Sequence, residues 1–407
     1  MKTYDADMFV VGGGPAGLAA AIAARQHGLR VIVADASDAP ADKCCGEGLM
    51  PDGLAALRQL GVAIPSDVAR FWGITFHDRD VVAPGLLSSG SGAGIRRTRL
   101  HRLLLDRALD VGVDCRFKTR VTGIGSDTVL LDDMSVRTRW IVGADGFNSR
   151  VRDWAGLNAG RKQSSARRYA SRRHFQMDQV PHSVEIYWHD DFQLFVTPIN
   201  AHEVGVAILS QIQRLRLKDA LDLLPQVHKR LGPPTTKERG AITGNTTLRS
   251  VHQGNVVLVG DASGTVDSIT GEGLCLAFRQ AIQLSAAIAN NDLSTYARMH
   301  RKLAWQPRAM AHLLLGLANY PILRHAAIRL LAANPLAFQT LLSAHSAPSH
   351  NPEEGNETDL DSHDAGSAGA GCTTAIRPGS DQSAVYVGLD SAHDSRYLCS
   401  EARHHPL

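Results

Sequence analysis

The chain has 407 residues, of which 44% are hydrophobic and 20% charged, which excludes a peptide, a small disulfide scaffold and a wholly disordered protein. The formal net charge of only +3 argues against a nucleic-acid-binding protein. No apolar run approaches the roughly 20 residues of a membrane span, and acidic residues stand where a signal peptide would be basic and then apolar, so we expect a cytoplasmic protein.

The first predicted elements form a strand–turn–helix–strand unit. Residues 7–11 are predicted to be an apolar strand, an Ala-rich helix runs from Leu18 to His27, and residues 30–35 form a second strand that ends in Asp35. The turn carries the pattern Gly12-x-Gly14-x-x-Gly17, with Pro15 and Ala16 inside it.

Glycines in such a turn let the backbone approach a pyrophosphate, and the helix that follows directs free N–H groups at it. The Asp35 carboxylate is placed to accept a hydrogen bond from a ribose hydroxyl. The unit therefore predicts a dinucleotide site, and it leaves both NAD(P) and FAD open. A glycine-rich turn without a ligand is the alternative.

The next stretch, from residue 36 to about residue 75, is predicted to be mostly loop, with a helix near residues 51–60. It contains Cys44 and Cys45, which could bind a metal or form a strained disulfide, although loop thiols are the simpler interpretation. Residues 97–111 are predicted to be an amphipathic helix, and short strands follow between residues 114 and 142.

Polar and apolar residues alternate over residues 165–210, which predicts antiparallel strands with one wet face in a second domain. A buried strand is expected at residues 254–259. Helices should dominate residues 271–343, with interruptions at Pro307, Pro321 and Pro335. The polar composition after Ser346 predicts a disordered tail.

Two later segments combine glycines with a carboxylate. One has the pattern DGxxSxxR from Asp145 to Arg152, and the other is Gly260-Asp261-Ala262-Ser263-Gly264, followed by Gly271-Glu272-Gly273. With the N-terminal glycines they resemble the three fingerprints of the FAD-dependent aromatic hydroxylase and geranylgeranyl reductase superfamily, in the same order, over roughly residues 7–345. The resemblance implies FAD as the cofactor and NAD(P)H as the reductant.

The resemblance also implies which residues hold the cofactor. Asp261 matches the aspartate that binds the flavin's sugar chain, and it projects from the end of a predicted strand. Gly271 and Gly273 open a helix whose N–H groups can face the flavin or a phosphate. The expected cofactor-binding residues are Gly12, Gly14, Pro15, Ala16, Gly17, Asp35, Lys43, Gly46, Arg97, Val121, Asp145, Gly260, Asp261, Gly271, Glu272 and Gly273.

Arg97 resembles the arginine that reaches the FAD phosphates from a helix start, although its neighbours Arg96 and Arg99 leave the register open. We interpret His101, beside the apolar stripe of the same helix, as structural. Arg152 has two interpretations, support of cofactor binding or a surface salt bridge.

The run from Lys43 to Pro51 resembles the lysine–proline–cysteine–glycine segment of geranylgeranyl reductase-like flavoproteins, with Cys45 on the family's cysteine and Cys44 in place of its proline. In the family this loop lies near the flavin, which makes Cys45 the candidate catalytic residue. The alternative for Cys45 is a packed thiol. No spacing typical of a metal site is present in the sequence.

Two departures from the family pattern bear on the reaction. Asp267-Ser268 stands where a proline usually precedes the flavin-binding glycines. The YxWxFP run of prenyl reductases is degraded, because alignment on Pro198 gives Gln193, Phe195 and Thr197. We therefore expect an NAD(P)H-dependent monooxygenase of a hydrophobic or aromatic, polyketide-like small molecule. The alternatives are a reductase of isolated C=C bonds in prenyl chains and a flavin module without catalysis.

The predicted fold class is α/β with α+β elements. It comprises a Rossmann-like FAD-binding domain (1–160 and 250–300), an antiparallel-sheet substrate domain (161–249), C-terminal helices (301–345) and the tail (346–407). Two features suggest partners. A basic cluster, Arg161, Lys162, Arg167, Arg168, Arg172 and Arg173, could dock an acidic substrate, a carrier protein or anionic lipid, or be a solvated strand face. The apolar helices over residues 312–342 could line a lipid-like tunnel, touch a membrane or simply cover the substrate domain.

Overall fold

A mostly parallel sheet and a mostly antiparallel sheet organise the chain in the computed structural model, which describes residues 3–163 and 167–346. The elements of the first 160 residues are, in chain order, β1 (Ala6–Val11), α1 (Pro15–Gln26), β2 (Val31–Asp35), β3 (Gly48–Leu49), α2 (Pro51–Gln59), β4 (Ala69–Phe71), β5 (Gly73–Asp78), β6 (Val81–Leu86), β7 (Gly92–Gly94), α3 (Arg97–Asp110), β8 (Asp114–Phe117), β9 (Val121–Ile124), β10 (Thr128–Leu131), β11 (Ser135–Gly143) and α4 (Arg150–Trp154).

The later elements are β12 (Lys162–Gln163), β13 (Arg168–Gln176), β14 (Ser183–Trp188), β15 (Phe192–Asn200), β16 (Glu203–Ser210), α5 (Leu217–Asp222), α6 (Pro225–His228), β17 (Arg239–Thr243), β18 (Thr246–Thr247), β19 (His252–Gln253), β20 (Val256–Leu258), α7 (Gly273–Ala289), α8 (Leu293–Asn319), α9 (Pro321–Ala333) and α10 (Pro335–Ser346). Two short 3-10 helices, Gly260–Ser263 and Ser268–Thr270, connect β20 to α7.

The first sheet has the strand order β19-β20-β11-β1-β2-β8, in which β20 through β8 run parallel, while β9 and β10 extend from β11 in antiparallel fashion. Its central strand is buried on both faces. Met8 and Val10 pack toward α1, α3 and α7, and Phe9 and Val11 pack toward β9, β10 and α4. This explains why β1 is a continuous apolar run rather than an alternating one. The predicted Rossmann-like fold class is confirmed.

Helix α1 begins at Pro15, three residues before the predicted start at Leu18. Gly14 is its N-cap residue and Pro15 occupies the first turn, where the missing N–H of proline costs no hydrogen bond. The pyrophosphate-binding pattern is therefore partly the first turn of the helix itself.

The second sheet has the order β17-β13-β16-β15-β14-β5-β6. The prediction that its strands have one wet face is wrong, because β15 and β16 are buried on both faces. Val204, Val206 and Ile208 pack against Leu217 and Leu221 of α5. The opposite face lines an internal cavity. The alternation of polar and apolar residues did not predict this burial, because short helices cover the face that was expected to contact solvent.

The second sheet also contains residues 73–86, which the predicted boundary at residue 160 placed with the first domain. β5 pairs in parallel with β14, from Gly73 opposite Ser183 to Asp78 opposite Trp188. A pairing between strands more than 100 residues apart leaves no local signal in the sequence. The chain thus crosses from the first sheet to the second and back before α3.

The C-terminal helices pack on the outer strands of the second sheet, with α9 and α10 against β6. Pro321 and Pro335 begin α9 and α10 as predicted, but α8 continues through Pro307 without interruption. A single lost hydrogen bond is outweighed by the packing of the other turns of this long helix on α7. No helix of the described ranges is long and apolar enough to cross a bilayer. The predicted disorder after Ser346 concerns residues outside these ranges.

Candidate functional site

The glycines of the N-terminal turn have different surroundings. Gly12 has a positive φ of +111°, and a Cβ atom there would stand 2.5 Å from the Ala144 carbonyl oxygen. A Cβ on Gly17 would stand 1.9 Å from the Gly12 carbonyl oxygen. A Cβ on Gly14 would meet no atom within 4 Å, because Gly14 borders a large cavity. Gly12 and Gly17 therefore allow close packing of the backbone. The absence of a side chain at Gly14 leaves that part of the cavity open.

Asp35, at the end of β2, holds this turn in place. Its carboxylate accepts hydrogen bonds from the backbone N–H groups of Gly13 and Ser37, each at 2.8 Å. A carboxylate offers about four acceptor sites, so Asp35 retains capacity for a hydroxyl group. Asp35 also lines the cavity, which is compatible with the predicted contact to ribose.

His101 reinforces the same turn from α3. Its Nδ1 accepts from the Ala41 N–H at 2.9 Å, so its Nε2 carries the proton and donates to the Gly13 carbonyl at 2.8 Å. Burial, helped by the nearby Arg97 guanidinium, lowers the pKa of His101 and favours this neutral form. The geometry agrees with the interpretation of His101 as a structural residue.

Of the neighbouring residues Arg96, Arg97 and Arg99, Arg97 is the one that lines the cavity. Arg96 pairs with Glu203, and Arg99 pairs with Asp67 at 2.7 Å, whereas Arg97 is only 6% exposed and lines the cavity. Among the residues that the structure describes, its Nη1 atom has no hydrogen-bond partner. Burial lowers the pKa of the guanidinium. A buried cation with an unsatisfied donor at a cavity wall is suited to an anion such as a phosphate.

The DGxxSxxR segment is held together by its own side chains. The Asp145 carboxylate accepts from the hydroxyl of Ser149, the N-cap residue of α4, at 2.5 Å and from the backbone N–H groups of Arg150 and Val151 in the first turn of that helix. Asp145 still borders the cavity, but most of its hydrogen-bonding capacity serves the turn.

Arg152 is buried, so the surface salt bridge considered for it is wrong. Its guanidinium donates to the Phe147 carbonyl, to the Asn158 side chain and, at 3.1 Å, to the Ala262 carbonyl. The last bond ties this segment to the Asp261 loop. Arg152 therefore supports the cavity from outside rather than lining it.

The third motif brings a carboxylate and a helix start to the cavity wall. The Asp261 side chain faces the cavity, where surrounding protein raises its pKa although Lys43 and Arg97 act in the opposite direction. Gly271 and Gly273, at the N-terminus of α7, also border the cavity, and a Cβ atom on either would meet nothing within 4 Å.

Glu272 lies between these glycines but does not line the cavity with them. Its side chain is buried, and burial, together with the nearby Asp52, raises its pKa to about 9. Glu272 is therefore a neutral carboxylic acid at neutral pH, which suits a packing position better than direct contact with a ligand.

Cys44 and Cys45 both line the cavity as free thiols. Burial raises the pKa of Cys44 to about 12 and also raises that of Cys45, so both thiols keep their protons at neutral pH. The Glu47 N–H lies 3.3 Å from the Cys45 sulfur and donates to it. Within the described ranges, no group of His, Cys, Asp and Glu side chains has the arrangement of a metal site.

A buried charged cluster beneath this loop was not predicted from the sequence. The Glu47 carboxylate accepts from the Arg97 N–H at 2.8 Å, lies 2.5 Å from His174 Nε2, and lies 3.5 Å from Arg172. Arg172 also pairs with Asp42 at 2.6 Å. Glu47 thus joins the thiol loop, the start of α3 and strand β13. The only local signal was its position inside the Cys45–Gly48 run.

The basic cluster around β13 is divided between surface and interior, because Lys162 and Arg167 are exposed while two other members are not. Arg168 and Arg172 are buried, Arg168 beside Gln193 and Asp267, and Arg172 against Asp42 and Glu47. Opposite charges compensate both guanidinium groups inside the protein, so these two are not available to an external acidic partner.

The cavity has a volume of about 640 Å³, within the range of roughly 300–1,000 Å³ typical of ligand sites. One end is formed by the glycine turns and the charged groups of the first sheet. The other end is lined mainly by apolar residues of the second sheet, among them Ile74, Ala170, Val184, Ile186, Phe195, Ala207, Leu209 and Ile242.

Most of the predicted cofactor residues surround this cavity. They are Gly12, Gly14, Pro15, Ala16, Asp35, Lys43, Gly46, Arg97, Val121, Asp145, Gly260, Asp261, Gly271 and Gly273, whereas Gly17 and Glu272 lie behind the wall. The open glycines, the unsatisfied Arg97 donor and the Asp261 carboxylate fit a pyrophosphate-bearing cofactor with a polyol chain.

Known proteins are similar to this chain in sequence and in fold. Residues 5–292 match the family described as the FAD binding domain. The menaquinone reductase of Mycolicibacterium smegmatis is 27% identical over 297 residues, covering 66% of this chain and 73% of that protein. The digeranylgeranylglycerophospholipid reductase of Thermoplasma volcanium is 28% identical over 325 residues, covering 72% of this chain and 81% of that protein.

A solved flavoprotein/dehydrogenase from Cytophaga hutchinsonii superposes with a TM-score of 0.72 at 17% identity, covering 84% of this chain and 92% of that one, which supports the fold. The family match spans the glycine turn, the thiol loop, the start of α3 and the N-terminus of α7, which are the segments that surround the cavity. The chain therefore belongs to the FAD binding domain family, and it is an FAD-dependent oxidoreductase.

Proposed function

We propose that this protein is a flavin-dependent reductase of isolated C=C bonds in the prenyl chain of a lipid. The observation that carries the proposal is the division of the cavity into a charged, glycine-lined end and an apolar end, with the protonated thiol of Cys45 also lining it.

The apolar end is suited to a hydrocarbon chain. Val184, Ile186 and Phe195 line it from β14 and β15, and Ala207 and Leu209 line it from β16. Burial of a prenyl chain against such side chains is favourable by roughly 25 cal/mol per Å² of apolar surface. No charged group of β14–β16 lines this part of the cavity, so an extended apolar substrate would leave no buried charge without a partner.

Reduction of an isolated double bond needs a hydride on one carbon and a proton on the other. Bound FAD, once reduced by an external donor such as NAD(P)H, would supply the hydride. The Cys45 sulfur holds a proton at neutral pH and lines the cavity, so it is the proton source we propose. The Glu47 N–H that donates to this sulfur would stabilise the thiolate left behind, until solvent returns the proton.

The relatives support the same reaction class. Both reported relatives are named reductases, and the compounds in their names, menaquinone and digeranylgeranylglycerophospholipid, carry prenyl chains. Their matches extend over more than 290 residues.

A monooxygenase of a hydrophobic or aromatic small molecule is the second candidate. Gln193, Phe195 and Thr197 replace the aromatic run typical of prenyl reductases, and Phe195 and Thr197 line the cavity. Gln193 instead binds Arg168 inside the protein. The substrate wall therefore differs from the prenyl reductase pattern, and this difference favours hydroxylation.

Mass spectrometry of products separates the two reactions. The FAD-loaded protein is incubated with menaquinone-4 or digeranylgeranylglycerophospholipid in detergent, with NADPH or dithionite, in the absence and presence of oxygen. Reduction of the quinone ring to a quinol also adds two hydrogens, so the products are reoxidised in air before analysis. We expect the products of the anaerobic incubation to retain a gain of two hydrogens per reduced double bond. Gain of one oxygen atom, formed only in air, would favour the monooxygenase, and no change of either lipid would contradict the proposed reductase.

Variants assign the proton source. Cys45→Ser should retain FAD and lose reduction by about tenfold or more, because general acid catalysis contributes roughly 10²–10⁴-fold. Cys115→Ser is the matched control, since Cys115 is a half-buried thiol on β8 that does not line the cavity. Equal reduction rates for the two variants would mean that Cys45 is a packed thiol and not the proton source.

A further inference from the structure

The C-terminal helices expose large apolar side chains on the side that does not pack against the protein. The exposed fractions are 73% for Trp305, 86% for Ile322, 67% for Leu330 and 74% for Leu336. Soluble surfaces carry scattered apolar residues, but clustered ones mark an interaction site. These four side chains belong to three consecutive helices, α8, α9 and α10.

The exposed positions follow the helical period. On α8 the exposed or half-exposed positions include Trp305, Ala309, Leu313 and Gly316, which are spaced by four, four and three residues, and Tyr320 at its C-cap continues the series. On α9 they include Ile322, Ala326, Leu330 and Ala333, and Leu323 is exposed beside Ile322. Each set is one stripe of its helix, and the two stripes meet at Tyr320–Ile322. We call them together the apolar stripe.

The opposite faces of the same helices are buried. Ile328 of α9 and Phe338 of α10 are fully buried, and both helices pack on β6. Arg324 of α9 is also buried and pairs with Asp78 of β5 at 3.0 Å. The helices are thus attached to the body of the protein by one face while the apolar stripe points outward.

The charge of this region has one sign. Residues 293–346 contain no Asp or Glu, although the whole chain has 40 acidic residues in 407, or about one in ten. Arg298, Arg301, Lys302 and Arg329 are exposed in the same helices. Within the described ranges these four side chains have no acidic partner, and an exposed apolar stripe beside such cations is the pattern of a helix that lies in the interface of an anionic membrane.

A second copy of this chain fits the surface less well. A symmetric dimer would bring the same patch of both subunits together and would therefore oppose two sets of cations with no carboxylate between them. A lipid surface supplies both an apolar layer and anionic headgroups. Since no helix of the described ranges can span a bilayer, contact would be confined to one leaflet.

We propose that the apolar stripe of α8 and α9, with its flanking Arg and Lys side chains, docks this protein onto an anionic lipid surface. The proposal does not rest on the reaction proposed above, since it concerns a face that does not line the cavity. Binding is therefore measured without substrate or reductant, so that failure of one proposal leaves the other standing.

The test is co-sedimentation of the full, FAD-loaded chain with vesicles of equimolar phosphatidylglycerol and phosphatidylcholine. We expect binding to these vesicles, at least tenfold weaker binding to phosphatidylcholine alone, and weakening by salt because exposed charges are screened. Equal binding to both vesicles would contradict the charge argument. No sedimentation with either would overturn the proposal.

Two sets of variants test the surface itself. Ile322→Glu combined with Leu330→Glu should weaken vesicle binding at least tenfold. The matched control is Leu109→Glu with Leu130→Glu, which adds the same charge at exposed leucines elsewhere, and it should bind nearly as the unsubstituted chain does. Should the first pair fail to retain FAD, Arg301→Glu with Lys302→Glu tests the cations and leaves the apolar stripe intact.

Light scattering completes the design. A monodisperse monomer in the absence of vesicles is expected. A dimer that the Ile322→Glu and Leu330→Glu variant converts to monomer, without any vesicle binding by the parent, would assign the apolar stripe to a second copy and overturn the lipid proposal. Vesicle binding that survives both pairs of substitutions would also overturn it.

Discussion

Gly14 and Gly17 belong to one turn but face opposite surroundings, and substitution separates their roles. A Cβ on Gly14 enters open cavity, whereas a Cβ on Gly17 would stand 1.9 Å from a backbone oxygen. We expect Gly14→Ala to keep the melting temperature of the FAD-free protein and to weaken FAD binding about tenfold or more, which corresponds to about 1.4 kcal/mol.

Gly17→Ala should instead lower the stability of the FAD-free protein by about 3 kcal/mol or more, because the backbone oxygen cannot move away as a side chain would. Thermal unfolding of both FAD-free variants, followed by flavin titration, makes the comparison. If Gly14→Ala loses stability but keeps its affinity for FAD, then FAD does not contact this turn.

Asp145 and Asp261 are both motif carboxylates that border the cavity, but only Asp145 has its hydrogen bonds satisfied within the turn. Asp145→Ala should therefore destabilise the FAD-free protein by about 1 kcal/mol or more, because it removes the acceptor of the Ser149 hydroxyl and of two N–H groups in the first turn of α4. Asp261→Ala removes a carboxylate that is exposed to the cavity and whose pKa the surrounding protein raises, so the FAD-free protein should lose no stability.

In flavin titrations the larger effect, a loss of FAD affinity, should come from Asp261→Ala. Asp261→Ala should weaken FAD affinity about ten- to a hundredfold, since a hydrogen bond from a hydroxyl to a charged group contributes about 1.5–3 kcal/mol. The change in affinity for Asp145→Ala should be smaller. Equal losses of affinity in the two variants would show that the sugar chain has a different partner.

At the scale of elements, α9 is attached to the second sheet through one buried guanidinium. Arg324 pairs with Asp78, which is fully buried, and with Asp190, whose side chain is 57% exposed. Asp78→Ala leaves a buried cation without its inner partner and should lower the free energy of unfolding by about 3–5 kcal/mol. Asp190→Ala removes an exposed partner of the same cation and should cost less than about 1 kcal/mol.

Urea unfolding of the two variants measures this difference. His325 also contacts Asp78 at 3.0 Å, so Asp78→Ala removes two contacts of α9 at once. Similar losses for Asp78→Ala and Asp190→Ala would mean that the apolar packing of α9 on β6, rather than Arg324, fixes the helix.

The elements that sequence reasoning predicted well are those whose signals are local. β14 was predicted with its observed limits, Ser183–Trp188, and α2 and α3 to within about a residue at their ends, because alternation, caps and turn glycines lie within each segment. The glycine turn and the segments around Asp145 and Asp261 were located for the same reason.

Long-range pairing and burial were not predictable in this way. Residues 73–86 joined the second sheet because β5 pairs with β14, and Glu47 meets His174 from a position 127 residues away. Neither contact leaves a pattern near either partner. A surface position was also considered for Arg152 and Arg172, which are buried. The sequence does not show which carbonyl or carboxylate groups will pack against a guanidinium in the folded protein.

At the scale of the whole molecule, the two ends of the cavity come from different sheets. The recognisable motifs lie at the cofactor end, where phosphate and ribose chemistry restricts residue types strongly. The apolar end is built from alternate residues of β14–β16, where many hydrophobic side chains serve equally well. This explains why the sequence identifies the cofactor more sharply than the substrate.

The cofactor end is also tied to the C-terminal helices through His300 of α8. Its Nε2 lies 2.8 Å from the Ser263 hydroxyl, which donates to the Gly260 carbonyl at 2.7 Å. Burial is the main reason, with Arg308 and Arg301 contributing, that the pKa of His300 falls from 6.5 to about 4. The folded protein therefore keeps His300 neutral at a pH where the unfolded chain protonates it.

This difference predicts how global stability depends on pH. Between pH 6.5 and about 4 the unfolded state binds a proton that the folded state does not, so the free energy of unfolding should fall as the pH falls through this window. The contribution of His300 approaches about 3 kcal/mol at pH 4, at about 1.4 kcal/mol per pKa unit.

His300→Gln keeps a donor for Ser263 and cannot titrate, so the stability of this variant should fall less steeply between pH 7 and pH 4. His312→Gln, at an exposed position of the same helix, is the control. Denaturant unfolding across this range gives the slopes, and parallel curves for both variants would mean that His300 is protonated in the folded protein as readily as in the unfolded chain.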